Sequence, residues 1–138
     1  MLNAASQSFV GTLNIFHFGT NGGLVRHMQL PKGQYTINSQ DVYGGIFPIV
    51  SKGKLYLLLN DNPKNTGTNF EKPCSSVYGM SAQVFSFSEG KEFERIKLTT
   101  ETNSSPYLIT GICTKISDNE FLIFVLEGGS IRIGKMTF

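Results

Sequence analysis

Apolar and polar residues alternate in short runs along most of this chain, and turn-forming residues interrupt the runs every ten residues or so. Phe9 to Phe18 reads as a strand, with Leu13, Ile15 and His17 on one side and Asn14, Phe16 and Phe18 on the other. Gly19-Thr20-Asn21-Gly22-Gly23 is a turn, because Gly and Asn accept positive φ. Leu24 to Leu30 then returns as the second strand of a hairpin. Pro31 to Gln34 is expected to stop it, since proline cannot donate to a ladder.

Residues 35–45 are polar and end in Gly44-Gly45, which predicts a loop. Ile46 to Val50 is a short strand and Ser51-Lys52-Gly53 a tight turn. Lys54 to Leu59 is a solid apolar strand, the pattern of a segment covered on both faces. Asn60 to Gly79 follows as a long loop with two prolines and no periodicity. Loops of that length are usually functional or mobile. Met80 to Phe87 alternates, with Gln83, Phe85 and Phe87 pointing one way and Val84, Ser86 and Ser88 the other. After a turn at 88–91, Glu92 to Leu98 returns with Phe93 out of phase with Ile96 and Leu98, which suggests a bulge. Residues 99–106 form a Thr/Ser/Asn loop. Leu108 to Ser117, Phe121 to Leu126 and Ser130 to Phe138 complete the strands, with turns at Asp118-Asn119 and Gly128-Gly129. No window holds a helical stripe free of Gly or Pro. The pattern is all-β: an antiparallel meander of about nine strands.

Two architectures suit such a meander. A closed up-and-down β-barrel wants every strand to alternate, apolar in and polar out. Packed β-propeller blades want inner strands that are apolar on both faces, as Lys54–Leu59 and Phe121–Leu126 are. A repeat favours the blades: residues 47–59 and 111–126 both run strand, polar turn, solid apolar strand. Their offset of roughly 66 residues exceeds the usual blade period of ~40–50, and the excess matches the loop at 60–79. Residues 1–8 are expected to fray, and 9–138 to form one all-β domain or a propeller fragment of about two blades. Two blades alone would leave apolar flanks, so self-association or a protein partner is expected.

Composition narrows the functions. At 138 residues and 15.2 kDa the chain can bury a real core. Its 11 Phe, 5 Tyr and 15 Gly suit strands and turns. A net charge of +2 with scattered basic residues argues against nucleic acid. No apolar run is long enough for a membrane helix, and no secretory signal is visible at the start. Cys74 and Cys113 lack metal-type spacing and read as free thiols, with a disulfide or reactive thiols as alternatives.

The runs Leu30-Pro31-Lys32-Gly33-Gln34, Gly53-Lys54-Leu55-Tyr56, Asn60-Asp61-Asn62-Pro63-Lys64-Asn65 and Gly134-Lys135-Met136-Thr137-Phe138 carry a resemblance. Over about residues 12–138 the chain resembles the C-terminal part of an uncharacterised family of exported, β-propeller-like proteins of Bacteroidetes-type bacteria. The resemblance implies a fold and a compartment, the periplasm or cell surface, and no assigned activity. The longer family members carry further blades upstream.

Chemistry is sparse. His17 and His27 flank the first hairpin without a third ligand at metal spacing, so strand histidines are expected and no metal. Asn60-Asp61-Asn62 with Glu71 superficially resembles a calcium loop, but Lys64 and Asn65 stand where it needs an oxygen ligand and a Gly. Turn hydrogen bonds from Asp61 and its Asn neighbours are the stronger reading. A small ligand or partner at the mouth of the long loop would meet Asp61, Lys64 and Tyr78. No nucleophile elbow is present and no catalytic residue or cofactor is expected. The function expected is therefore a non-enzymatic binding or assembly module. A lipocalin-like barrel carrying an apolar ligand is the alternative, and a hydrolase using Asp61 or Glu120 comes third.

Overall fold

The computed structural model describes residues 7–37, 43–67, 71–74, 80–88, 93–98 and 106–138. Ten strands are described: β1 (Gln7–Phe18), β2 (Leu24–Ile37), β3 (Ile46–Ser51), β4 (Lys54–Asp61), β5 (Ser81–Phe87), β6 (Glu94–Lys97), β7 (Tyr107–Leu108), β8 (Thr114–Lys115), β9 (Glu120–Glu127) and β10 (Ser130–Thr137). All the strand pairs are antiparallel. They form three sheets: the hairpin β1-β2, the meander β3-β4-β5-β6, and a third sheet β10-β9-β7 in which β8 also pairs with β9. Among the described residues no sheet closes on itself, so the barrel expectation is not met.

The central meander is the organising layer, and its side-chain alternation sorts two cores. Leu57, Leu59, Phe85 and Phe87 face the hairpin and pack on Leu30, with Leu13, Ile15 and Met28 at the margin. Leu58, Ala82, Val84 and Ile49 face the other way, onto Leu108 and Phe121 of the third sheet. Phe47 and Phe121 meet edge to face at 6.3 Å, and Tyr56 lies 4.2 Å from Phe138. Every residue of β5 is buried. A strand covered on both faces needs apolar side chains at odd and even positions alike, which is why β4 reads as a solid run. Two tight hairpins complete the frame. Lys52-Gly53 and Gly128-Gly129 all have positive φ, the two-residue turn whose twist suits flanking strands.

Several expectations are corrected. Of the terminus expected to fray, residues 1–6 lie outside the described residues, and β1 begins at Gln7 and Ser8, opposite Ile37 and Thr36. Pro31 does not end β2, which continues to Ile37. Proline is tolerated there because it sits at an irregularity: the register shifts between Val10 and Thr12, opposite Pro31 to Gln34. Leu108 to Ser117 is not one strand. It is broken by a 3-10 turn at Thr110–Ile112 between β7 and β8. The break lets Thr110 bury against Gly45, where a Cβ would approach its Oγ1 to 2.5 Å. The repeat therefore survives only as a pairing pattern, β3 on β4 and β8 on β9, with β8 cut to two residues. β6 pairs with β5 without a register shift, so the bulge is not seen in Glu94–Lys97. Residues 89–92 and 99–105 lie outside the described residues. Among the described residues no helix is long and apolar enough to cross a membrane.

Candidate functional site

At the end of β4, where a site is expected, lies a buried polar cluster completed by side chains of β5 and β6. Asp61, Ser81, Gln83, Arg95 and Lys97 share one face of the central meander through the cross-strand pairs Asp61↔Ser81, Gln83↔Lys97 and Phe85↔Arg95. Arg95 Nη1 lies 2.8 Å from Asp61 Oδ2, with both side chains almost fully buried. The guanidinium also donates to Gln83 Oε1 and to the Gly67 carbonyl, and it lies 4.8 Å over the Phe85 ring. Asn65 Nδ2 donates to both Asp61 oxygens. Burial pushes the Asp61 carboxyl up, and the Asn62 backbone N–H, Arg95 and Asn65 pull it back. Burial likewise lowers Arg95, with Asp61 opposing. Asp61 is the main compensation of the Arg95 charge, whereas the Asn62 N–H is the largest single one for Asp61, ahead of Arg95.

The loop beyond β4 is held by its own amides. Asn62 Oδ1 accepts from the Lys64 N–H at 3.0 Å, an Asx turn, and its Nδ2 donates to the Pro73 carbonyl. Asn65 bonds Lys72 in both directions, donating from Nδ2 and accepting at Oδ1. Lys97 Nζ donates to the Pro63 carbonyl at 2.6 Å. Cys74 then joins β2 in a parallel bridge to Gln34, with the Cys74 N–H donating to Gly33 and the Tyr35 N–H to Cys74. Far from being free, the described part of the loop is stapled to the sheets on both sides.

A second cluster holds the turn at 43–45. Lys32 is buried and donates from Nζ to the Gly44 carbonyl at 2.5 Å and the Gly45 carbonyl at 3.3 Å. Asn60 Nδ2 and Gln34 Nε2 both donate to the Tyr43 carbonyl. Asn60 also mimics a strand: Nδ2 donates to the Leu108 carbonyl at 2.8 Å and Oδ1 accepts from the Leu108 N–H at 2.7 Å. Burial lowers the Lys32 ammonium to about 8, against smaller opposing effects of Cys74 and Asp61. Burial raises the Cys74 thiol to about 12. Gln34 Oε1 is buried without a hydrogen-bond partner among the described residues.

Of the three residues expected to meet a ligand, Asp61 is buried and engaged by Arg95 and Asn65, and Lys64 is exposed. Tyr78 lies outside the described residues. A carboxylate already opposite a guanidinium is a poor cation ligand, which speaks against the calcium-like reading. Among the described residues no group of three His, Cys, Asp or Glu could hold a metal. His17 pairs across the hairpin with Arg26 and His27 with Phe16, so the two histidines alternate in face. His27 stacks on Phe16 at 4.5 Å and its Nε2 is 3.0 Å from Asn14 Oδ1. Glu120 is on the third sheet, paired with Lys135 at the surface. Cys74 and Cys113 are both free and buried, with Cys113 following the 3-10 turn rather than in a strand.

Sequence reasoning missed Arg95, Asn65, Gln83 and Lys32. Arg95 carried a faint signal, because it shares the phase of Phe93 in a strand whose other phase holds Ile96. Lys32 carried a misleading one, in a Pro-Lys-Gly sequence that reads as a turn. Comparison with protein-family models, with curated proteins and with solved structures finds no match.

Proposed function

We propose that this chain is a non-enzymatic binding or assembly module built from propeller-like blades. In this reading β3–β6 is a complete four-stranded blade, and the hairpin and the third sheet belong to its two neighbours. By its family resemblance the module would work in the periplasm or at the cell surface. One observation carries the proposal. The two inner strands of the central sheet, β4 and β5, are covered on both faces, while each flanking layer leaves large apolar side chains in solvent: Phe16 and Phe18 on the hairpin, Ile131 and Ile133 on β10. Exposed apolar side chains that recur on the two outer layers are a signature of association.

The Asp61 cluster supports the same view. Its charges are spent on holding β4, β6 and the loop together, which is structural work rather than turnover. The test is light scattering with native mass spectrometry and solvent extraction of the purified chain. The expected result is an oligomer that releases no small molecule. A monomer that yields a lipid-like compound on extraction would refute the module in favour of a carrier.

A further inference from the structure

Open sheet edges present unpaired N–H and C=O groups, and folded proteins blunt them with proline, bulges, short length or charge. The described edges of this chain are blunted in those ways, with one exception. β3 carries Pro48 at its middle. β6 has four residues, with Glu94 and Lys97 at its ends. β1 is bent by two register shifts, and β2 contains Pro31 and is partly covered by Cys74. β7 and β8 have two residues each. β10 has eight residues, no proline and an unbroken register from Ser130↔Glu127 to Thr137↔Glu120. Its Ile131 and Ile133 are 61% and 65% exposed.

The charges on β10 do not guard the edge either. Arg132 Nε is 2.7 Å from Glu127 Oε2, and Lys135 Nζ is 2.7 Å from Glu120 Oε1. Both cations are drawn back toward β9. The direction of the free backbone groups follows from the hairpin. A two-residue turn at Gly128-Gly129 makes Ser130 and Glu127 a hydrogen-bonded pair, and alternate residues repeat it. The Phe138 N–H, which donates to the Asn119 carbonyl, keeps the same phase. Ile131, Ile133, Lys135 and Thr137 therefore aim their backbone groups at the open side.

We propose that β10 is the docking strand through which a second copy of this chain pairs, antiparallel about a two-fold axis centred on Ile133. The inference rests on the assembly reading above and names its contact. With that centre, Ile133 meets Ile133 of the second copy in a hydrogen-bonded pair. Arg132 lies across from Gly134, which leaves it room, and the aliphatic stem of Lys135 covers Ile131. No two cations stand directly opposite, so the strand is complementary to itself.

Sedimentation velocity on the full chain tests this, with far-UV circular dichroism confirming the fold of each variant. The wild-type protein should dimerise. Ile133→Lys, which sets two lysines face to face, should weaken the dimer by about tenfold or more. Ile131→Lys sets the new lysine against Lys135 of the second copy and should do the same, which covers the case that one variant fails to fold. Val50→Lys, on the proline-blunted edge, and Phe16→Lys, on the hairpin, should leave the dimer intact. A monomeric wild-type protein overturns both this inference and the assembly reading. An oligomer untouched by both isoleucine variants but broken by Phe16→Lys overturns the β10 contact and leaves the assembly reading standing.

Discussion

Asp61 illustrates how a residue that looks poised for chemistry is consumed by structure. Its carboxylate lies against Arg95 in a nearly dry environment, and Asn65 bonds both oxygens. Removing one member of such a pair strands the other charge. Asp61→Ala should therefore destabilise the fold by about 3–5 kcal/mol, read as a shift of the urea midpoint. A binding defect at unchanged stability would mean that the cluster is a site after all. Lys32 makes a second residue-level prediction. Its ordinary value is 10.5 and its folded value about 8, so between those values the unfolded chain binds more protons. Stability then rises with pH across that window. Cys74 opposes from its ordinary value of 9.0 upward, because its folded value of about 12 makes the unfolded chain lose the proton first. From about 8 to 9 Lys32 contributes a gain of about 1 kcal/mol, part of which the buried thiols of Cys74 and Cys113 offset as the pH nears 9, since in the unfolded chain they begin to ionise first. Lys32→Met should flatten urea midpoints measured across this interval. The Asx turn after Asp61 was legible in sequence because its partners are two residues apart. Arg95 was not, because pairing across 34 residues depends on the strand register.

At the scale of the element, β4 shows how a covered strand distributes its cost. Leu58 is fully buried against the third sheet, whereas Leu55 is only half-buried at the hairpin margin. Leu58→Ala should cost about 2–5 kcal/mol through lost burial and a cavity, and Leu55→Ala clearly less, by chemical denaturation of both variants. Equal losses would contradict the two-sided packing. The phases of Met80–Phe87 were readable residue by residue, since a two-residue period places each side chain without further information. The run after Leu108 was not. Its alternation continues through Ile112, but burying Thr110 against Gly45 forces the 3-10 turn, and that contact joins distant segments. Pro31 misled for a related reason. A proline rules out one ladder bond, and an irregularity in the opposing strand can remove the need for it.

Across the whole molecule, three sheets are tied by polar side chains at one end of the central meander and by apolar layers over the rest. Asn60 couples the central sheet to Leu108 of the third, and Lys32 couples the hairpin to the turn at 43–45. The association expected of the outer layers is a property of this stacking. An apolar residue counts as a docking group only once it is known to remain uncovered, as Ile131 and Ile133 do. By itself the sequence determined the fold class, the meander order, the tight turns and the two-sided burial of β4, because all of these follow from local periodicity and turn chemistry. Only the tertiary structure decided that Asp61 belongs to Arg95, that Lys32 is buried, that the described part of the long loop is stapled and that, among the described residues, β10 alone keeps an unguarded edge. Those facts depend on which strands become neighbours and in what register, and such choices are settled by contacts between residues far apart in the chain.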